Sequence, residues 1–149
     1  MKIVKIIQWD MGHRVLHHKS ICKGLHGHRY KAEICISGNL VAQSGVSEEG
    51  MVVDFADIKK ISQDFIQQKL DHAFMVWERD DELLSFFNNS KGHKAVIVSF
   101  TPTAENVAAY IFCELQNKFK DKYKTGLHLH SVKLWETPSS YALYEISEK

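Results

Sequence analysis

Residues 11–28 contain five histidines and one cysteine, a high density of side chains that ligate metals. His26 and His28 are separated by one residue at the start of a predicted strand. Because residues i and i+2 of a strand point to the same face, both imidazoles can reach one ion. His13, at the end of an earlier apolar run, can supply a third nitrogen. Three neutral histidines with one open position are the ligand set of a catalytic zinc, so the spacing predicts a metal site.

A second histidine pair with the same spacing shows that the spacing alone is weak evidence for a metal site. His128 and His130 are also two residues apart on a predicted strand, but they lack a nearby third histidine and a nearby cysteine. We interpret them as structural or edge histidines. The metal prediction therefore depends on the third histidine and not on the pair alone.

Cys22 lies four residues before His26 and has three interpretations. As a fourth zinc ligand it would close a structural site of one cysteine and three histidines. As a free thiol it would pack as a small hydrophobe, the usual state of such a residue. As a base or nucleophile, its thiolate would be favoured by the zinc charge and by Lys23. The residues alone leave the choice between ligand and catalytic group open.

Two further sites with an acidic side chain are candidates for function: the Asp71–His72 pair and Glu136. Asp71 and His72 lie at the end of a predicted helix, where they form either a polar cap or a proton relay. Glu136 alternates with Val132 and Leu134 and so falls on the predicted core face of a strand. A carboxylate at a buried edge needs a partner, either an internal Arg or Lys or a guanidinium-like edge on a ligand.

Composition limits the class of protein. The 149 residues are predicted to form one domain, 1–149, with the 44% apolar and 25% charged residues of an ordinary globular protein. The net charge of +1 predicts no general affinity for nucleic acid or for an acidic membrane surface. Residues 11–31 nevertheless carry basic side chains and no carboxylate, which indicates either a solvated loop or a surface for a phosphorylated substrate. These basic residues are Arg14, Lys19, Lys23, Arg29 and Lys31.

The cysteine content predicts a reducing compartment. The chain has three cysteines, too few and too far apart for a disulfide framework. Residues 1–8 lack the long apolar region and the cleavage site of a signal peptide, and no apolar run reaches the length of a membrane span. We therefore expect a cytoplasmic protein with no membrane association.

Hydrophobic periodicity predicts an α+β fold. The predicted strands are 2–10, 26–37, 95–100, 128–137 and 141–146. The predicted helices run from the N-cap Asp54 to about Lys69, over 80–87, and from Pro102 to Gly126. Because hairpins rather than βαβ crossovers join the first and the last strands, the sheet is predicted to be mainly antiparallel.

Six motifs occur in an order that resembles one known family. They are His13-Arg-Val, Cys22-x-x-x-His26-Gly-His28, Met51-Val-Val-Asp-Phe55, Leu70-Asp-His72, Pro102-Thr-Ala-Glu-Asn106 and Glu136-Thr-Pro138. Together they resemble the 6-pyruvoyl-tetrahydropterin synthase family across nearly the whole chain. The spacing Cys-x-x-x-His-Gly-His is similar to that of its bacterial branch, the 6-carboxy-5,6,7,8-tetrahydropterin synthases of queuosine biosynthesis.

The resemblance implies a tunnelling fold, with a four-stranded antiparallel sheet and helices on one face. In that family three copies close their sheets into a β-barrel, two such trimers usually stack into a hexamer, and active sites lie between subunits. The resemblance therefore implies a homo-oligomer. Residues 75–100 are longer here than in compact members of the family.

The resemblance also implies a cofactor, zinc, and a substrate, a pterin triphosphate. By position, the resemblance implies that His13, His26 and His28 bind zinc. It implies that Cys22, Asp71 and His72 are catalytic and that Glu136 is both catalytic and pterin-binding. Thr103 and Glu105 are implied at the border of the pterin pocket. Cys22 is then catalytic and not a fourth ligand.

The implied reaction converts 7,8-dihydroneopterin triphosphate to 6-carboxy-5,6,7,8-tetrahydropterin and releases triphosphate and acetaldehyde. A sister activity eliminates triphosphate without breaking a carbon–carbon bond and yields the 6-pyruvoyl product. A different class of protein, a non-catalytic structural zinc module with Cys22 as the fourth ligand, also fits the histidines. It leaves Asp71, His72 and Glu136 without a function.

Overall fold

Two long neighbouring strands carry the three predicted metal-binding histidines. In the computed structural model, which describes residues 1–123 and 126–146, β1 (Lys2–His13) pairs antiparallel with β2 (His26–Gly38). His13 lies opposite His26, and Met11 lies opposite His28. Residues that face each other in an antiparallel pair project to the same side of the sheet. The register therefore brings all three imidazoles to one end of one face.

The hairpin at the end of the chain extends this sheet. β5 (Leu127–Thr137) pairs antiparallel with β2, and β6 (Ser140–Glu145) pairs antiparallel with β5. The tight connection at residues 138–139 confirms the predicted turn. β1, β2, β5 and β6 thus form the antiparallel part of the sheet.

Two short strands extend the sheet beyond β1. The sheet therefore has six strands and not the four that the family resemblance implies. β3 (Ala73–Trp77) pairs parallel with β1, and β4 (Ala95–Val98) pairs parallel with β3, giving the order β4-β3-β1-β2-β5-β6. His72 has a positive φ of 56° and turns the chain directly from the preceding helix into β3. The Phe74 side chain then lies over Gly12, where any added Cβ would overlap its ring.

Three α-helices are described: α1 (Phe55–Lys69), α2 (Asp81–Asn89) and α3 (Ala104–Tyr123). The predicted N-cap Asp54 is confirmed, since its carboxylate accepts a hydrogen bond from the Ala56 N–H at 2.7 Å. The predicted end of α3 at Gly126 follows residues 124–125, which lie outside the described ranges.

The core lies between the helices and the face of the sheet that carries the histidines. Ile58 of α1 and Ile111 of α3 are fully buried in one apolar cluster with Ile34 and Leu134 of the sheet. Of the helices in the described residues, none has both the length and the apolar character needed to cross a membrane.

A buried ion pair ties the end of β1 to the start of α2. The Arg14 guanidinium, next to His13, donates to the Asp80 carboxylate at 2.6 Å, and the side chain of Asp80 is 3% exposed. Asp80 also caps α2 by accepting from the Leu83 N–H. Burial raises the pKa of Asp80, but the hydrogen bonds from Arg14 and Leu83 outweigh it, so the pKa lies below the ordinary 3.8. The pair therefore fixes the chain next to His13 to the start of α2.

We expect Asp80→Asn to lower the free energy of unfolding by about 3 kcal/mol, because it leaves Arg14 buried without its counter-charge. Asparagine keeps the helix cap, so the change isolates the charge. Glu82→Gln, which removes the exposed carboxylate that also contacts Arg14, is the matched control and should cost at most about 1 kcal/mol.

Urea unfolding at several pH values checks this prediction. A lowered native pKa gives stability that is fully present above the ordinary pKa of 3.8 and is lost as the pH falls through the native value. The difference between wild type and Asp80→Asn should therefore be constant near neutral pH and shrink below about pH 4. Equal stability of the two proteins at pH 7 would contradict the role of the pair.

Candidate metal centre

Three histidines form a compact group at one end of the sheet. His13, His26 and His28 each offer a ring nitrogen, and these atoms all lie within 4.8 Å of one another. His13 is 1% exposed, and its ring centroid lies 4.5 Å from that of His26. One ion placed among the three nitrogens would have three ligands and a free position, which suits a catalytic metal.

Backbone carbonyls fix which nitrogen of two of these rings is available. His13 Nδ1 lies 2.6 Å from the Pro102 carbonyl, and His26 Nδ1 lies 2.8 Å from the Gly24 carbonyl. A carbonyl only accepts, so each Nδ1 carries the proton and each Nε2 presents a lone pair. Metal-bound histidines are oriented in this way by the groups behind them.

His13 Nε2 supplies a direct test of whether the residues fit a metal. This atom is buried, and among the described residues it has no hydrogen-bond partner. A buried nitrogen with an unused lone pair is costly unless something binds it. A cation with a preference for imidazole, such as zinc, satisfies it, so the residues present fit the predicted group.

Burial also favours the protonation state that binds metals. Burial lowers the pKa of His13, against the opposing effects of the Pro102 carbonyl and the Glu136 charge. Burial likewise lowers the pKa of His28. Both rings are therefore neutral at physiological pH, as ligation requires.

A carboxylate stands beside the histidines in the same chain. Glu136 Oε1 lies 3.5 Å from His13 Nε2 and 3.9 Å from His28 Nε2. The Tyr30 hydroxyl donates to the same oxygen at 3.5 Å. Burial and the Glu136 charge raise the pKa of Tyr30, so this hydroxyl keeps its proton. No motif in the sequence pointed to Tyr30, although it continues the alternation of His26 and His28 along β2.

A cavity of about 320 Å³ opens onto this group. Cys22 enters it from a short 3₁₀ turn, Ile21–Lys23, and Thr103 and Glu105 enter it at the start of α3. Cys22 is half-buried, but its sulfur is not among the atoms that cluster within 4.8 Å. The other predicted residues on the wall of this cavity are His13, His26 and Glu136.

Asp71 and His72 do not line this cavity. His72 Nδ1 lies 3.0 Å from Asp71 Oδ1, so the predicted dyad is formed, and the His72 side chain is 80% exposed. His72 borders a shallow groove with Asp10 and Arg29, which alternate to the face of the sheet opposite the clustered histidines. His28 also lines this groove. Within one chain, the dyad therefore lies outside the cavity that Cys22, His13, His26 and Glu136 line.

The basic residues of 11–31 divide into engaged and exposed groups. Arg14 is held by Asp80 and Glu82, Arg29 pairs with Asp10, and Lys31 lies 3.9 Å from Glu33. Lys19 and Lys23 are exposed on the loop that carries Cys22. Among the described residues neither lysine forms an ion pair, so both charges are open to an anionic ligand.

Comparisons with known proteins point to one family. The family described as 6-pyruvoyl tetrahydropterin synthase matches residues 2–147. A 6-carboxy-5,6,7,8-tetrahydropterin synthase from Haemophilus influenzae is 37% identical over 147 residues, covering 97% of this chain and 98% of that protein.

Solved structures show the same fold. An uncharacterized protein from Wolinella succinogenes superposes with a TM-score of 0.78 at 26% identity, covering 99% of this chain and 98% of that one. The 6-pyruvoyl tetrahydropterin synthase of Caenorhabditis elegans superposes with a TM-score of 0.67 at 23% identity, covering 99% of this chain and 96% of that one.

We expect the purified protein to bind about one zinc ion per chain through the three histidines. His26→Ala should weaken zinc binding by at least about 100-fold, because losing a ligand costs more than losing one of the groups behind it. Cys22→Ala should retain zinc. Elemental analysis after dialysis against a weak chelator measures the metal content.

His128→Ala is the matched control, since it removes an exposed histidine from the other i, i+2 pair. It should leave the zinc content unchanged. Loss of zinc and of the fold in Cys22→Ala would instead identify Cys22 as a ligand of a closed structural site.

Proposed function

The chain belongs to the 6-pyruvoyl tetrahydropterin synthase family and is an enzyme of the 6-carboxy-5,6,7,8-tetrahydropterin synthase type, and we propose the following reaction for it. It converts 7,8-dihydroneopterin triphosphate to 6-carboxy-5,6,7,8-tetrahydropterin, with release of triphosphate and acetaldehyde. This step belongs to the queuosine pathway in the cytoplasm. The observation that carries the proposal is one cavity lined by Cys22, Glu136, His13 and His26, with the His28 ring nitrogen within 4.8 Å of those of the other two histidines.

The cavity supplies the groups that this reaction needs. His13, His26 and His28 would hold zinc, which would supply a Lewis acid for the hydroxyl groups of the substrate side chain. Cys22, as a thiolate, accepts a proton from that side chain. Proton removal next to the leaving group prepares the loss of triphosphate.

Glu136 orients the substrate. Its carboxylate is 26% exposed at the cavity and is steadied by the Tyr30 hydroxyl, so it can accept hydrogen bonds from a ligand. The amino group and ring N–H of a pterin form a donor edge that matches two carboxylate oxygens. This pairing sets the distance between the pterin side chain and Cys22.

The Asp71–His72 dyad serves a site formed with a neighbouring copy. The exposed His72 imidazole lies outside the cavity of its own chain, and Asp71 holds its Nδ1 so that Nε2 is free to exchange a proton. A trimer, or two stacked trimers, would bring this imidazole to the metal site of the next subunit. The position of His72 outside the Cys22 cavity of its own chain supports a homo-oligomeric enzyme.

Lys19 and Lys23 bind the triphosphate. Replacement of both by methionine should raise KM for the substrate by roughly 10-fold and leave kcat within about 2-fold, because each lost surface charge weakens uniform binding. Steady-state kinetics measure both constants. Lys5→Met with Lys59→Met, which removes two lysines outside residues 11–31, is the charge-matched control. An unchanged KM in the loop variant would exclude these residues as the triphosphate site.

Product analysis tests the proposed function. Zinc-loaded protein incubated with 7,8-dihydroneopterin triphosphate should yield the 6-carboxy pterin by mass spectrometry, together with acetaldehyde. Cys22→Ala should keep zinc and lose about 100-fold or more of kcat, the usual contribution of a positioned base. A 6-pyruvoyl product would assign the sister activity, and no turnover by the zinc-loaded wild type would contradict the proposal.

A further inference from the structure

The peptide group between Asp71 and His72 is held at both ends. The His72 N–H donates to the Asp10 carbonyl of β1 at 2.8 Å. The Asp71 carbonyl accepts from the Lys94 ammonium, also at 2.8 Å. A peptide group is rigid and planar, so fixing its N–H and its C=O fixes its orientation. That orientation fixes one side of the N–Cα bond of His72. The Ala73 N–H, which donates to the Leu70 carbonyl at 3.1 Å, holds the other side, and together the two contacts constrain the φ of His72.

The backbone of His72 needs such support. Its φ of 56° lies in the left-handed region, where a residue with a Cβ is strained. Strained residues of this kind persist only where the surrounding contacts determine them. Relaxation to negative φ would rotate the imidazole away from its present direction.

Lys94 makes a second contact that places its charge at the end of α1. Its ammonium donates to the Gln67 carbonyl at 2.9 Å, in the last turn of the helix. A cation is favourable beside the unpaired carbonyls of a helix C-terminus. Lys94 is half-buried, and its own carbonyl accepts from the Phe74 N–H, which fixes its main chain against β3.

We propose that Lys94 is a positioning residue for His72, an inference that rests on the proposed function of the Asp71–His72 dyad. Lys94 lies just before β4, and its contact with the Asp71 carbonyl gives residues 75–100 a role in the reaction. The ammonium locks the Asp71–His72 peptide, and the Asp71 carboxylate, which also accepts from the Asp10 N–H at 3.3 Å, then aligns the imidazole. Lys94 itself does not touch the substrate.

Lys94→Met keeps the apolar stem and removes the donors. We expect kcat to fall by about 10- to 100-fold with KM within about 2-fold and with unchanged zinc content, as for the loss of a group that orients a catalytic residue. Lys94→Arg, which restores a cation with N–H donors, should recover most of kcat. Lys91→Met, in the exposed turn that precedes β4, is the matched control and should behave as wild type.

A second measurement does not depend on substrate. Hydrogen exchange at the His72 amide should become at least about 10-fold faster in Lys94→Met, because the peptide group loses one of its two anchors. If Lys94→Met does not fold, Lys94→Leu, which also lacks donors, is compared with wild type in the same way. Unchanged exchange, or a kcat within about 2-fold of wild type, overturns the proposal. No turnover by wild type contradicts the proposed function, while the exchange experiment still decides whether Lys94 holds the peptide.

Discussion

The antiparallel register of β1 and β2 is the constraint on which the site depends. It places His13 opposite His26 and puts both on the face that the helices cover. A shift of one residue along either strand would send its histidines to the other face and bury the residues that now meet solvent. The register is held by the same alternation that buries Trp9 and Tyr30. The core and the metal site are therefore specified by one pattern.

Several features of the fold and site followed from local sequence. The alternation of His26 and His28, the Asp54 cap and the turn between β5 and β6 depend on residues close together in the chain, and the structure has all three. The third histidine required only that β1 and β2 form a hairpin-like pair. Sequence reasoning works here because period and turn chemistry are short-range signals.

The features that the sequence did not predict, namely β3 and the contacts of Asp80 and Lys94, depend on segments that are distant in the chain. β3 is five residues long and is stabilised by pairing with β1 and β4, so its composition alone does not distinguish it from the end of a helix. Asp80 and Lys94 acquire their roles from partners more than twenty residues away. No local pattern identifies which of many charged residues will find such a partner.

The contact between Phe74 and Gly12 has a consequence for how this protein can diverge. The ring occupies the space that a Cβ at position 12 would need, directly after Met11 and before the metal-site histidine. A substitution at position 12 alone therefore pushes on both β3 and the end of β1, whereas a smaller residue at position 74 first opens room for it. The order in which the two positions change therefore matters during evolution. As long as position 74 holds a large aromatic ring, position 12 must remain glycine.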